Sequence, residues 1–289
     1  MKKFISVWST ATALSLVLSA CAGNPTTNSG KASEIPTSIQ TSLPTEPMMT
    51  TTPIALTPSP LPSKSPSPSP ESKVEITYRM NNNYDIVPIR EGGNKKVVLL
   101  TFDDGPKAVE TLIPILDALD KHNAKAIFFV NGYRIKEHPE LLKVIHDRDQ
   151  VIGNHSYDHV KLPELTNEEI DDQITKVQTQ VKDITGSTPV FFRPPHGISN
   201  DYVRAVVKKA GMLRMNWSNG SLDWDLPNDA TNKPQLIVDN IQKMLHKGSN
   251  ILMHELAWTA EGLDHLLTTL EKEGYSFVDP NAIDTTEQP

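Results

Sequence analysis

The chain has no run of basic residues, and its net charge is −7. That balance argues against nucleic acid as a partner and leaves neutral or mildly charged polymers open. No glycine-rich dinucleotide fingerprint is present and HEXXH is absent, which removes the commonest sequence signals for a nucleotide cofactor and for a zinc protease. There is a single cysteine, Cys21, so no disulfide can form within the chain. The one long apolar stretch follows Lys2 and Lys3 and runs for about fifteen residues, short for a membrane span. Nothing in the sequence implies a protein partner.

What is present begins with that N-terminus. Two lysines and a short apolar stretch fit a signal peptide over residues 1–21. Its end, Leu18-Ser19-Ala20-Cys21, resembles the bacterial lipobox, in which the cysteine becomes the lipidated first residue. Residues 22–72 are rich in Ser, Thr and Pro and offer no periodic apolar face, as expected of a disordered or polyproline-like tether. Stretched out, about fifty such residues reach roughly 150 Å at most. The expectation is a protein held by lipid to the outer face of the cell membrane, with a folded domain over 73–289.

That remainder is long enough for one large core. Val97–Phe102 is an apolar run of strand length, and Leu112, Ile115, Leu116 and Leu119 then recur at helical spacing before the strand-like Ala126–Val130. A helix near Pro139–His146 and a strand near Gln150–Ile152 follow. Thr166 and Glu169 form a capping box for a helix that runs to Ile184 and stops at Gly186. The rhythm continues with strands at Val190–Phe192, Met212–Trp217, Asn250–Met253 and Tyr275–Val278. Between them lie helices at Asp201–Ala210, Gln235–His246 and Ala260–Glu273. About seven βα units predict an α/β fold, an irregular, TIM-like (β/α) barrel, with an open doubly wound sheet as the alternative.

The polar clusters TFDDG, NHSYDH, FRPPHG, SLDW and LMHE each fall at or just after the carboxyl end of a predicted strand, the rim where barrels build active sites. His155 and His159 are four apart, so on a helical turn both imidazoles would face one side and a metal. Asp104 is the natural third ligand. Two imidazoles and a carboxylate suit zinc or another late first-row divalent ion such as cobalt.

Taken in order, TFDDG, HSYDH, RPPHG, DW and LMH resemble the five motifs of the polysaccharide deacetylase family, carbohydrate esterase family 4, also called the NodB-homology domain, across roughly residues 95–279. The resemblance implies a metal-dependent hydrolase acting on an acetylated glycan. Asp103 would be the general base, and Asp104, His155 and His159 the metal ligands. Arg193 would orient the base, His254 would be the general acid, and Asp223 would hold it. The amide of residue 196 would stabilise the oxyanion, and His196 stands where the family usually has tyrosine. Trp217, Trp224 and Leu252 would wall the acetyl pocket. Gly220 replaces a common aspartate, which predicts a looser loop there. Glu255, where aspartate commonly follows the histidine, receives no chemical role.

Adjacent carboxylates do not suit a glycosidase, whose pair flanks a bond some 5 Å or more apart. A glycan-binding lipoprotein without activity would have lost a base, an acid or a ligand, and none is lost. The expected activity is deacetylation of an N-acetylated envelope glycan, peptidoglycan N-acetylglucosamine first. Chitin oligomers, poly-N-acetylglucosamine and O-acetylated xylan are the alternatives.

Overall fold

A computed structural model describes residues 74–288. The signal segment, Cys21 and the tether at 22–72 lie outside the described residues. Among those described, no helix is long and apolar enough to cross a membrane.

The order is a hairpin, β1 (Tyr78–Met80) and β2 (Ile86–Pro88), then β3 (Val97–Gly105), α1 (Val109–Lys121), β4 (Ala126–Val130), α2 (Gly132–Glu137), α3 (Pro139–Asp147), β5 (Val151–Asn154) and α4 (Asn167–Thr185). After these come β6 (Phe191–Phe192), α5 (Asp201–Lys209), β7 (Leu213–Arg214), β8 (Asn219–Gly220), α6 (Lys233–Met244), β9 (Ser249–His254), α7 (Ala257–Lys272) and β10 (Ser276–Phe277). Strands pair in the order β7-β6-β5-β4-β3-β9-β8, with β10 also on β3, and every pairing in this sheet is parallel. The edge strands β7 and β8 are consecutive in the chain and only Met215–Ser218 separates them, so the backbone itself joins the two edges. The result is the expected irregular barrel, gapped between β7 and β8.

Side chains alternate across the sheet with period two. On β3, Val98, Leu100 and Phe102 pack outward with Leu112, Ile115 and Leu116 of α1 and Leu263 and Leu267 of α7. Val97 and Leu99 point the other way and join Ile127, Phe129, Phe191 and Leu213 in an inner cluster. The hairpin residues Met80 and Ile86 belong to that cluster and close the barrel floor. Higher up the same inner face of β3 come Thr101 and Asp103, both buried. The interior thus changes from apolar at the floor to polar at the carboxyl ends of the strands.

The capping box forms as expected, with the Thr166 side chain and the Glu169 backbone amide paired, and Gly186 ends α4 in a left-handed conformation at φ 77°. The helix α2 and strand β8 were not legible in the sequence, nor was the hairpin: two to six residues are too few to show a period. Gly220 corrects an expectation. It is a buried strand residue paired with Leu252 rather than part of a loose loop.

Candidate active site

Strand alternation should send neighbouring Asp103 and Asp104 to opposite faces. It does not, because β3 carries a bulge. Asp103 pairs with Phe129 and Gly105 with Val130, so Asp104 is the extra residue. Asp104 takes a left-handed φ of 67°, and both carboxylates line one cavity of about 460 Å³. The cavity is completed by His155, His159, His196, Trp217, Trp224, Leu252 and His254, among others.

His155 and His159 do come together, but not on a helical turn. They lie on an irregular loop after β5 in which Ser156 and His159 have φ of 65° and 54°. The Asn154 carboxamide oxygen accepts from the Ser156 amide at 2.9 Å. Amides at the start of α2 donate to the Ser156 and Tyr157 carbonyls, and Asn131 Nδ2 donates to the His155 carbonyl at 2.8 Å. These bonds hold the loop where an α-helical turn would otherwise have been needed. Four left-handed non-glycine residues, Asp104, Ser156, His159 and His196, cluster within the site's loops. Such backbone strain persists only where surroundings over-determine it.

Asp104, His155 and His159 each offer one ligand atom, and these lie within 4.8 Å of one another. His155 Nδ1 sits 2.7 Å from the Arg193 carbonyl oxygen, so that nitrogen carries the proton. Its Nε2 then presents a lone pair toward Asp104 at 3.6 Å. His159 Nε2 is 3.3 Å from the same Asp104 Oδ1. That oxygen is buried with no hydrogen-bond partner. A buried, unpartnered carboxylate oxygen facing two imidazole nitrogens fits a divalent cation, by donor chemistry as well as position. Burial raises the Asp104 carboxyl, but the combined pull of His155, His159, His254 and Lys107 outweighs it and holds the group below its ordinary value. Burial also lowers His159, against the pull of Asp104, which favours the neutral form a cation requires.

Arg193 is fully buried. One terminal nitrogen donates to Asp103 Oδ1 at 2.7 Å and to Thr101 Oγ1 at 2.8 Å, and the other to the Asn216 carbonyl at 3.0 Å. Its guanidinium lies over the Phe129 ring, 4.3 Å from the centroid. Burial lowers the Arg193 pKa from its usual range, and Asp103 opposes this. Thr101, Asn131 and Asn154 were not singled out in the sequence; a polar residue inside a buried strand or at its end was the available signal.

On the neighbouring strand, His254 is the register partner of Asp103. Its Nδ1 pairs with Asp223 Oδ1 at 2.7 Å, which leaves the Nε2 edge to the cavity. Asp223 is itself fixed by the His254 amide and the Thr259 hydroxyl, each donating to Oδ2 at 2.7 Å. Burial lowers His254, yet the Asp223 hydrogen bond and charge, together with the nearby charges of Asp103 and Asp104, outweigh it and raise the group above the ordinary histidine value. Trp224 is 47% exposed and meets His254 edge-on at 5.0 Å. Leu252 is buried in the cavity wall. His196 is exposed and stands edge-on to His159 at 4.8 Å.

A family description, polysaccharide deacetylase, matches residues 90–215. The chain is 36% identical over 185 residues to the peptidoglycan-N-acetylmuramic acid deacetylase PdaA of Bacillus subtilis, covering 63% of this chain and 69% of that one. The chain belongs to the polysaccharide deacetylase family. It is thus a hydrolase of the carbohydrate deacetylase class, carbohydrate esterase family 4. A peptidoglycan-N-acetylglucosamine deacetylase, PgdA of Listeria monocytogenes, is also 36% identical over 186 residues, which are 64% of this chain and 38% of that one. Among solved structures, a family 4 pseudoenzyme from Bacillus anthracis superposes with a TM-score of 0.59 at 34% identity, covering 64% of this chain and 63% of that one.

Proposed function

We propose that this protein removes acetyl groups from the N-acetylated sugars of peptidoglycan. The observation that carries this reading is the placement of Asp103 and His254 side by side on β3 and β9, above a three-donor cation cradle. One relative is named for N-acetylmuramic acid and another for N-acetylglucosamine. Both names support an acetylated envelope glycan, and N-acetylglucosamine is the sugar proposed here.

In this scheme Asp103 takes a proton from the attacking water, and the Arg193 guanidinium, donating to Oδ1 at 2.7 Å, holds that carboxylate in place. His254 gives its Nε2 proton to the amine nitrogen as the carbon–nitrogen bond breaks, and Asp223 holds the imidazole in the required orientation. The products are acetate and a free amino sugar. Asp104, His155 and His159 would hold the ion, zinc being the proposed one. The chemistry such an ion supplies when bound is acidification of water and polarisation of the acetyl carbonyl. Trp217, Trp224 and Leu252 shape the acetyl pocket, and the amide of His196 serves the oxyanion. Cys21 is proposed as the lipid anchor and residues 22–72 as the tether, which would hold the domain at the outer face of the membrane within reach of the wall.

The deciding experiment is acetate release by the purified protein from peptidoglycan and from chitin oligomers, before and after chelation and zinc add-back. Acetate that is lost with chelator and restored by zinc supports the reading. No acetate from either polymer, with zinc bound, would favour a glycan-binding protein instead.

A further inference from the structure

Glu255 follows the acid histidine and has no part in the scheme above. It is 1% exposed. Its Oε1 accepts three hydrogen bonds, from the amides of Lys107 and Ala108 at 2.9 and 3.1 Å and from the Thr111 hydroxyl at 2.8 Å. These donors sit where the chain leaves the β3 bulge and enters α1. The residue preceding α1, Ala108, has no side-chain acceptor of its own, so the cap comes from a segment 148 residues away in sequence. The positive end of the α1 dipole offsets part of the cost of burying the carboxylate.

The second oxygen faces the other side of the same loop. Oε2 is buried without a hydrogen-bond partner, and a Cβ added to Gly105 would lie 2.6 Å from it. Chain neighbours aside, Glu255 atoms are the only ones within 4 Å of that Cβ, and Gly105 is not among the positive-φ glycines. An alanine at 105 would therefore press on the Glu255 carboxylate and force it to shift. The Glu255 amide also reaches the Asp103 carbonyl at 3.4 Å. Glu255 thus touches the chain on both sides of Asp104, at 103 and at 105–108, while being covalently joined to His254.

We propose that Glu255 is a positioning residue, a clamp that sets the Asp103–Asp104 bulge at a fixed height against His254. The inference rests on the reading of Asp104 as cation ligand and Asp103 as base. A helix cap that acted on stability alone would leave both the cradle and the turnover of the folded protein untouched. A clamp on the bulge would alter them.

The test compares wild type, Glu255→Gln, Glu255→Ala, Gly105→Ala and the double variant Gly105→Ala/Glu255→Ala. The readouts are zinc affinity by chelator competition, kcat and KM for acetate release, and thermal unfolding of the zinc-free protein. Glu255→Ala should weaken zinc binding by about 10-fold or more and lower kcat with little change in KM. Glu255→Gln keeps an acceptor at Oε1 and should stay within about threefold of wild type. Gly105→Ala should weaken zinc binding in the wild-type background and do little further harm once Glu255 is alanine, a coupling that independent sites would not show.

Wild-type zinc affinity and kcat in a folded Glu255→Ala protein would overturn the inference, even if its melting temperature fell. Additive effects in the double variant would do the same. If Glu255→Ala does not fold, unchanged zinc affinity in Gly105→Ala would still overturn it. A wild-type protein that neither binds zinc nor releases acetate removes the proposed function itself, and this inference with it.

Discussion

Strand β9 has a histidine–aspartate pair at each end, and the two are chemically alike but differently placed. Before the strand, His246 Nε2 meets Asp85 Oδ1 at 2.7 Å and Nδ1 meets the Met244 carbonyl at 2.8 Å. At its end, His254 Nδ1 meets Asp223 Oδ1 at the same 2.7 Å, but the other nitrogen faces the cavity. In both, burial lowers the histidine, and the aspartate acting with other neighbours, the Met244 carbonyl for His246 and Asp103 and Asp104 for His254, outweighs it. The direction of the shift therefore does not separate them. Commitment of the second ring nitrogen does: His246 pins the β1–β2 hairpin to the barrel floor, whereas His254 is free to exchange a proton.

Substituting each histidine breaks the comparison most strongly. His254→Ala should lower acetate release from N-acetyl substrates by roughly 100-fold or more, while His246→Ala should stay within about twofold. An activated aryl acetate, whose leaving group needs little protonation, should recover much of the His254→Ala loss. Equal losses on both substrates would argue against the acid role.

A smaller effect is expected from the partner carboxylate. Asp223→Asn should reduce turnover by roughly 10-fold or more. It should also move the alkaline limb of the kcat/KM profile to lower pH, because the raised pKa of His254 is what keeps it protonated above its ordinary range. An unmoved limb would assign that limb to another group.

The smallest effect belongs to the other pair. His246 is raised, so its share of stability is full below the unfolded histidine pKa and is lost as pH rises through the folded one. Burial raises Asp85, but its bonds to His246 and neighbours outweigh that and leave it lowered. Its share is therefore present above its unfolded pKa and fades as pH falls through the folded value. The Asp85→Asn variant should melt about 1–2 °C below wild type between roughly pH 4 and 6.5 and converge with it above and below, since His246 is 42% exposed and the pair is screened. A constant deficit at all pH values would mean that shape rather than charge was lost.

The cradle and the reacting pair were legible in the sequence as residue types: two adjacent aspartates after an apolar strand, two histidines four apart, an arginine, and a histidine after another apolar strand. How they meet was not. Spacing suggested a helical turn for His155 and His159, whereas Asn154 and the amides of α2 shape an irregular loop. Strand alternation would have separated Asp103 from Asp104, and a left-handed bulge residue reunites them. Glu255 carried no signal at all, since its partners at Lys107 and Ala108 lie 148 and 147 residues earlier in the chain.

The sequence by itself determined the alternation of strands and helices, the capped α4 and the chemical inventory of the site, because period, capping and side-chain type are local properties. Only the tertiary structure decided which of those groups share a cavity and which nitrogen of each histidine is free. Those outcomes depend on strand register, on a bulge and on buried hydrogen bonds between distant segments, and none of these is written in any short stretch of chain.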